Sequence, residues 1–192
     1  MSRSLFRAID ILLALVMLPA VSVVTAVSVL LVRADSSGSA IFQQERIGER
    51  GTTFTLYKLR TMRVNTPNVA SHEVAPQQMT RIGSLLRSTK VDELPQVWNV
   101  LRGDMGFVGP RPCLPSQTDV LEARREHGVS LLRPGITGPA QIRGIDMSKP
   151  DDLARADAEI LNADLAQRLS WVLATFLGRG SGDAVPGECA ES

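Results

Sequence analysis

The chain has 192 residues, of which 44% are hydrophobic and 21% charged, so it is long enough to bury one sizeable core. Its 21 lysine and arginine residues nearly balance its 20 acids, and a formal net charge of +1 gives no support for a nucleic-acid-binding protein. The two cysteines, Cys113 and Cys189, lie far apart and match neither a disulfide framework nor a zinc site, which favours a reducing compartment.

The N-terminal segment is the most apolar part of the chain. From Ile11 to Val32 it has no charged residue, and this length is close to the roughly 20 residues that cross a bilayer. Pro19 lies in its middle, where a proline removes a helix hydrogen bond, so we expect a kink or a break there. Basic residues flank both ends, so charge does not place those ends on opposite sides of a membrane. A re-entrant helix with both ends in the cytoplasm and a kinked transmembrane helix are both open.

A β-hairpin is predicted next. Ile41–Arg46 and Thr52–Arg60 alternate in the manner of strands around the turn residues 48–51. Lys58 and Arg60 are two residues apart and therefore project to one side of the second strand. That side either meets an anion or faces solvent.

The central segment carries the strongest chemical signal. Apolar residues at helical spacing, with Pro95 suited to a first turn and Gly103 to an end, predict a helix from Glu93 to Arg102. Asp92 then falls at the N-cap, where a carboxylate is often only a cap. Adjacent carboxylates among basic residues also suit a divalent cation and a phosphate, which favours phosphoryl transfer. The basic residues nearest in sequence are Arg81, Arg87, Lys90 and Arg111.

The other segments are predicted in outline. Asp35–Ser39 is a turn-rich linker, and the polar, proline-containing stretch Asn65–Gln78 is predicted to be a mobile loop. Asp151–Leu177 shows an apolar stripe at helical spacing, which packs on the core or on a membrane surface. Gly178–Ser192 is rich in glycine, serine and acids, which predicts a disordered tail.

Five blocks of the chain follow one another in a recognisable order: Gln43–Gly48, Phe54–Met62, Asp92–Met105, Val108–Pro112 and Arg133–Gly138. In this order they resemble the motifs of bacterial monotopic phosphoglycosyltransferases, the sugar transferases that begin glycan assembly on a lipid carrier. This resemblance implies an α+β fold, mainly helical with a small β-hairpin and an N-terminal re-entrant membrane helix. We therefore expect residues 1–34 to form that helix, broken at Pro19, and residues 35–177 to form a cytoplasmic catalytic domain. The chain resembles the small, catalytic-core form of the family.

The resemblance also implies an activity. Such enzymes move a phosphosugar from a UDP-sugar to undecaprenyl phosphate at the cytoplasmic face of the bacterial inner membrane, release UMP and use Mg²⁺. By motif match, Asp92 is the nucleophile that forms an acyl-phosphate, and Glu93 binds the metal with it or orients it. The alternative is a non-catalytic relative that binds a UDP-sugar or recruits other glycan enzymes to the membrane. The sequence does not identify the sugar.

Further residues are candidates for binding substrate. Arg111 lies between two prolines, and its planar guanidinium suits bidentate phosphate recognition. Lys58, Arg60 and Arg87 are secondary candidates. Asp157 matches a late acidic position of the family, where it binds substrate or braces the site, with a solvated helical acid as the alternative. Polar helices facing the cytoplasm are compatible with a homodimer.

Overall fold

The computed structural model describes residues 3–64, 66 and 78–178. Its first element is helix α1, Arg3–Asp35, which is long and apolar enough to cross a membrane by length and composition alone. The break predicted at Pro19 does not appear as a non-helical segment, because α1 is one helix on both sides of that residue. The physical reason is packing: the buried residues of α1 lie on one stripe that continues past the proline. They are Ala14, Val21, Ser28 and Val32.

Both ends of α1 are fastened to the rest of the protein. Near its start, Arg7 donates to the carbonyl oxygens of Val100 (2.6 Å) and Leu101 (3.1 Å), and the Asp10 carboxylate accepts from Phe107 N at 3.1 Å. At the far end, the Asp35 carboxylate accepts from Ile82 N at 3.3 Å. The opposite face of α1 is apolar and exposed, at Leu12, Leu15, Val16, Val23, Val27 and Leu30.

The predicted hairpin is confirmed to within one residue at its ends. Strand β1 spans Ile41–Ile47 and strand β2 spans Thr53–Leu59, and they pair antiparallel with Gln44 opposite Leu56. The turn between them contains a short 3-10 segment, Glu49–Gly51. The predicted fold class, mainly helical with a small antiparallel sheet, is thus confirmed.

The remaining elements pack around this hairpin and α1. Among them is a second, parallel strand pair that the sequence did not predict, since its strands have only three residues each. The main hydrophobic core lies where α1 and β2 pack against Val97, Val100, Met105 and Phe107. The elements are α2 (Arg81–Ser88), α3 (Gln96–Arg102), β3 (Gly106–Val108), α4 (Thr118–Glu126), β4 (Gly135–Thr137), α5 (Pro139–Ile142), α6 (Pro150–Ala158) and α7 (Leu165–Phe176).

The predicted helix over Glu93–Arg102 is wrong at its start. Residues Val91–Glu93 form a 3-10 turn, and α3 begins only at Gln96 with Pro95 as its N-cap. Asp92 therefore lies inside the 3-10 turn and is not the helix cap. The chain enters this turn through Lys90, whose left-handed φ of 57° interrupts a regular helix. The predicted end is confirmed, since Gly103 caps α3 with a φ of 95°.

The helical character predicted for Asp151–Leu177 is confirmed, although the segment is not one continuous helix. The segment divides into α6, a 3-10 turn at Glu159–Leu161 and α7. The division has a local cause, because the Asp164 side chain accepts a hydrogen bond from Gln167 N at 2.8 Å and so starts a new helix. The predicted loop at 65–78 and the predicted tail lie outside the described residues, apart from Thr66, Gln78 and Gly178.

Candidate active site

The two adjacent acids lie in the 3-10 turn between α2 and α3. Asp92 is buried, with 7% of its surface exposed, and Glu93 is half-buried. The left-handed Lys90 that begins the turn costs roughly 1–2 kcal/mol of conformational energy in a non-glycine residue. Strain of this kind is held in place by surrounding packing and is often found at functional sites.

Two basic side chains from other elements face Glu93. Its Oε1 atom lies 3.6 Å from Lys58 Nζ on β2 and 3.5 Å from Arg111 Nη2 in the loop after β3. The side chains of Lys58, Glu93 and Arg111 are only 11%, 15% and 20% exposed, so solvent screens these charges less than at a surface. Both distances exceed those of charge-assisted hydrogen bonds, so a phosphate oxygen can compete for either cation. The structure thus brings together three residues predicted from sequence.

These residues line a narrow cleft of about 10 Å³, with room for about one water. Its wall combines the charged groups with amides and backbone from α3, the β3 loop, β4 and α5. The lining residues are Arg46, Leu56, Lys58, Glu93, Gln96, Arg111, Pro112, Gly135, Ile136 and Gln141.

The buried amide of Asn99 fixes β2 relative to the acidic turn. Asn99 is fully buried, accepts from Tyr57 N at 3.2 Å and donates to the carbonyl oxygen of Thr55 at 2.7 Å. It thereby satisfies two backbone groups on the edge of β2 that β1 does not cover. Because Asn99 belongs to α3, this contact holds Lys58 of β2 opposite Glu93.

The backbone around Arg111 is held at four consecutive residues. Each carbonyl oxygen from Pro110 to Cys113 accepts a hydrogen bond, and the donors come from different parts of the fold. In that order they are Gly135 N (3.0 Å), Arg124 Nη1 (2.7 Å), Arg46 Nη1 (3.0 Å) and Ile47 N (2.9 Å). The guanidinium of Arg111 therefore projects from a rigid backbone, which favours a preorganised anion site.

Close backbone contact explains two glycines of the motifs. A Cβ atom on Gly135 would lie 2.0 Å from Gly109 N, and one on Gly109 would lie 2.3 Å from the carbonyl oxygen of Arg133. Neither position has room for a side chain without a backbone shift. The two motif segments can approach closely enough to form the loop around Arg111 only because both carry glycine.

Asp157 supports this loop and does not line the cleft. Its side chain has no exposed surface, and Oδ2 lies 2.8 Å from Arg124 Nη2. Burial raises the pKa of the Asp157 carboxyl, and the charge of Arg124 and its hydrogen bond oppose that shift. The direct substrate contact predicted for Asp157 would need a surface that it lacks, and the alternative of a solvated acid is wrong. Its position fits the predicted bracing role.

Two other predicted substrate ligands also lie outside the cleft. Arg60 donates to the backbone oxygen and the hydroxyl of Ser36, both at 2.8 Å, so it secures the linker after α1. Arg87 is buried in the last turn of α2, which packs against the 3-10 turn that carries Asp92. Neither residue lines the cleft around Glu93.

Three residues near the acids were not predicted as site residues. Burial lowers the pKa of the Lys90 ammonium group; Glu93 opposes this shift and Arg111 adds to it, so all three groups interact. Gln96 and Gln141 line the cleft, and Gln141 Oε1 is buried without a hydrogen-bond partner in the described part of the chain. Gln96 lies in the same motif as Asp92 and Glu93, so the sequence could have indicated it as a site residue. Gln141 lies outside that motif, and its side chain donates to the carbonyl oxygen of Ile136 at 3.1 Å.

The acids offer a limited metal site. Within residues 3–64, 66 and 78–178, no group of three or more His, Cys, Asp or Glu side chains is placed to hold a metal ion. Mg²⁺ is commonly held by one or two carboxylates together with substrate phosphates and waters. The adjacent carboxylates of Asp92 and Glu93 fit that minimal pattern.

Comparison with known proteins gives consistent matches. Residues 1–177 match the family model of the bacterial sugar transferases. The chain is 39% identical over 143 residues to the UDP-glucose:undecaprenyl-phosphate glucose-1-phosphate transferase of Caulobacter vibrioides, a match covering 72% of this chain and 54% of that protein. It is 35% identical over 140 residues to the UDP-N-acetylgalactosamine-undecaprenyl-phosphate N-acetylgalactosaminephosphotransferase of Aeromonas hydrophila, covering 71% and 33% of the two chains.

A third relative has a similar length. The exopolysaccharide production protein ExoY of Sinorhizobium fredii is 33% identical over 197 residues, covering 91% of this chain and 87% of that protein. By contrast, the chain spans about half or less of the two transferases named above. The family model covers nearly all of the described residues, which confirms the resemblance found in the sequence. The chain belongs to the bacterial sugar transferase family.

Proposed function

We propose that this protein is an enzyme that transfers a sugar phosphate from a UDP-sugar to undecaprenyl phosphate. The observation that carries the proposal is the buried Asp92 next to Glu93, whose carboxylate lies within 3.6 Å of both Lys58 and Arg111. The relatives from Caulobacter and Aeromonas bear the names of such transferases, with glucose and N-acetylgalactosamine as their sugars. Their different sugars leave the donor sugar of this chain to experiment.

The two cations suit the diphosphate of the donor. Without substrate, Lys58 and Arg111 share one oxygen of Glu93 at distances longer than good hydrogen bonds. A phosphate carries more charge and more acceptor atoms than one carboxylate oxygen, so both cations can turn to it. Arg111 can then form a bidentate contact. That exchange also frees Glu93 for the metal.

The proposed chemistry has two displacements at one phosphorus atom. A carboxylate oxygen of Asp92 attacks the β-phosphorus, the bond to the bridging oxygen breaks, and UMP leaves with that oxygen and the bonding electrons. An oxygen of undecaprenyl phosphate then attacks the same phosphorus, and the bond to Asp92 breaks to restore the carboxylate. No proton or electron is gained or lost in the sum. The low exposure of Asp92 limits hydrolysis of the intermediate by water.

Mg²⁺, when bound, would neutralise charge on the diphosphate during these displacements. Asp92 and Glu93 are the side chains proposed to hold it together with the donor phosphates. Lys58 and Arg111 supply fixed positive charge from the protein itself. The contributions of the metal and of the two basic side chains can be tested separately, by removing Mg²⁺ from the assay and by substituting Lys58 or Arg111.

We also propose that α1 lies in the cytoplasmic leaflet with both ends on the cytoplasmic side, as in a re-entrant helix. A helix of 33 residues is about 50 Å long, and a spanning helix would place its ends on opposite sides of a hydrocarbon core about 30 Å thick. Here Arg7 and Asp35, near opposite ends, both hydrogen-bond to the domain that carries the acids. This supports the re-entrant arrangement over the transmembrane one. Labelling of Ser4→Cys and Ser37→Cys in intact cells should find both thiols inaccessible from outside; labelling of either would contradict it.

The activity is tested with the full chain in lipid nanodiscs. UMP release is measured with Mg²⁺, undecaprenyl phosphate and a donor panel that includes UDP-glucose and UDP-N-acetylgalactosamine. We expect release with at least one donor and its loss in Asp92→Asn, which keeps the shape of the side chain but removes the nucleophilic carboxylate. Intact mass of enzyme with donor alone should show a sugar-phosphate adduct on the wild type only. Equal release by Asp92→Asn, or no release with any donor, would refute the proposal.

A further inference from the structure

Strand β1 has β2 on one side, and its other side forms an edge of the sheet. At one end of the pair, Arg60 N donates to the carbonyl oxygen of Ala40 at 2.8 Å. At the other end, Gly48 N donates to that of Thr52 at 2.6 Å, and the register between these contacts is continuous. Residues that bond across an antiparallel pair alternate with residues that do not. The even-numbered residues of β1 therefore face β2, and the N–H and C=O groups of the odd-numbered ones point away from it.

These outward groups are open over five residues, from Ile41 to Glu45. Beyond this segment, Ile47 N donates to the carbonyl oxygen of Cys113 at 2.9 Å, so the edge is covered there. The carbonyl oxygen of Ile41 accepts one side-chain hydroxyl at 2.8 Å and keeps a second lone pair. Within the described residues, no hydrogen bond reaches the outward N–H and C=O groups of Gln43 and Glu45. We call residues 41–45 the open edge.

The open edge lacks the usual protection of an edge strand. Natural proteins commonly protect such strands with a proline, a lysine, a bulge or a covering element. The open edge contains neither proline nor lysine, and its pairing with β2 has no bulge. Gln43 and Glu45 are exposed, and Phe42 is 38% exposed. The edge is therefore suited to pairing with another strand, in which main-chain hydrogen bonds supply the affinity.

We propose that two copies of the chain pair through their β1 strands, antiparallel and symmetric about Gln43. In this register Gln43 lies opposite Gln43 of the partner subunit, and Ile41 lies opposite the partner subunit's Glu45. The outward groups of the open edge then form about six hydrogen bonds between the copies. The two hairpins become one four-stranded sheet. A two-stranded hairpin is marginally stable by itself, and additional strands stabilise it.

The covered end and the charges select this register. A shift toward the hairpin turn would pair Ile41 with the partner subunit's Ile47, whose N–H group already bonds to Cys113. A further shift would place the two Glu45 carboxylates opposite each other, which is unfavourable. A shift the other way would pair Glu45 with the linker that precedes β1. In the symmetric register the two Glu45 residues lie about 14 Å apart along the strands, beyond the screening length of about 8 Å.

The pairing also brings a side chain of the partner close to the candidate site. Side chains directly opposite each other on paired strands share one face of the sheet. The partner subunit's Phe42 therefore lies opposite Gln44, on the face that carries Lys58. Gln44 Oε1 accepts from Arg46 Nε at 3.0 Å, and Arg46 Nη1 donates to the carbonyl oxygen of Pro112 at 3.0 Å. The partner thus packs beside the residues that hold the loop after β3.

Disulfide formation tests the register. The full chain is used in detergent micelles with Cys189→Ser, which leaves the buried Cys113 in place. Gln43→Cys puts two cysteines directly opposite each other, with Cα atoms about 5.5 Å apart, within disulfide range. Glu45→Cys is the matched control, because it is exposed on the same strand but its two copies lie about 14 Å apart. Mild oxidation should link Gln43→Cys into dimers, with about a tenth as much or less from Glu45→Cys.

A second experiment breaks the pairing without a cross-link. Gln43→Pro removes an N–H group that points away from β2, so the hydrogen bonds of the hairpin are kept, while the proline ring occupies the open edge. Gln43→Ala keeps that N–H group and is the matched control. Light scattering gives the mass of the solubilised chain over a range of concentrations. We expect the wild type and Gln43→Ala to be dimers and Gln43→Pro to be a monomer.

The outcomes decide the inference without any substrate, so they are independent of the proposed function. A wild-type chain that stays monomeric at every concentration would overturn it, as would a dimer that Gln43→Pro leaves intact. Equal cross-linking of Gln43→Cys and Glu45→Cys would also overturn it, because only the symmetric register separates the two positions. Thermal melting checks that Gln43→Pro folds; if it does not, the yield of cross-linked dimer decides.

Discussion

The buried ion pair behind Arg111 should affect stability and activity in separable ways. Arg124 and Asp157 are 7% and 0% exposed and lie 2.8 Å apart, and Arg124 also holds the carbonyl oxygen of Arg111. We consider the single substitution Asp157→Ala and the double substitution Arg124→Met with Asp157→Leu. The first leaves a buried charge without its partner; the second replaces both charges by apolar side chains.

The expected magnitudes follow from burial. An exposed pair contributes about 0–1 kcal/mol, but removing one partner of a buried pair costs about 3–5 kcal/mol. Asp157→Ala should lower the free energy of unfolding by about that amount. The double variant has no uncompensated charge, because Arg124 is replaced as well. It still loses the hydrogen bond from Arg124 to the Arg111 carbonyl oxygen, and that loss costs about 1–3 kcal/mol. It should therefore be more stable than Asp157→Ala.

Activity should not recover with stability. In the double variant the Arg111 backbone has lost its hydrogen bond from Arg124, and a misplacement of about 1 Å at a reacting group costs about a hundredfold in rate. We expect kcat/KM for UMP release to fall by about tenfold or more, with stability followed by urea denaturation. Arg155→Gln on the same helix is the control. A double variant with the activity of the wild type, or an Asp157→Ala protein as stable as the wild type, would refute the bracing role.

Three further outcomes are expected. Gly135→Ala should lower the free energy of unfolding by about 1–3 kcal/mol in urea titrations, because its Cβ would lie 2.0 Å from Gly109 N; Gly48→Ala, with nearest atoms at 3.2 Å, should have less effect. Lys58→Met should raise the donor KM by about tenfold in UMP-release assays, by removing one cation beside Glu93. The donor KM should rise with pH below the ordinary lysine pKa of 10.5, because burial lowers the pKa of Lys90, so it loses its charge earlier. Lys90→Arg should abolish that rise, since arginine stays charged.

Local sequence patterns were sufficient to predict some elements of this structure. The hairpin was predicted to within one residue at its ends, because alternation and turn residues act over a few positions. Gly103 was a reliable helix end for the same reason. The start of α3 could not be predicted in this way, since the left-handed Lys90 and the 3-10 turn have no clear sequence signature. Asp164 is of a type that often caps a helix, but the continuous apolar stripe hid the boundary between α6 and α7.

Contacts between distant residues account for the rest. Asp157 pairs with Arg124, which is 33 positions away, and its role follows from that partner and from its burial. The strands β3 and β4 have three residues each, too few to show a period, and they pair through a glycine contact. A motif can therefore identify a residue as important while its physical role depends on which element packs behind it.

The arrangement around Glu93 also explains how cations can be held ready before the donor binds. Lys58 and Arg111 are mostly buried, and a buried cation without a counter-charge is unfavourable. Glu93 supplies that charge to both, at distances that leave each contact weaker than a full hydrogen bond. The carboxylate that stabilises both cations is thus the group that the donor's phosphate displaces. Loss of Glu93 should remove the ion-pair partner that Lys58 and Arg111 share, and this would lower stability as well as activity.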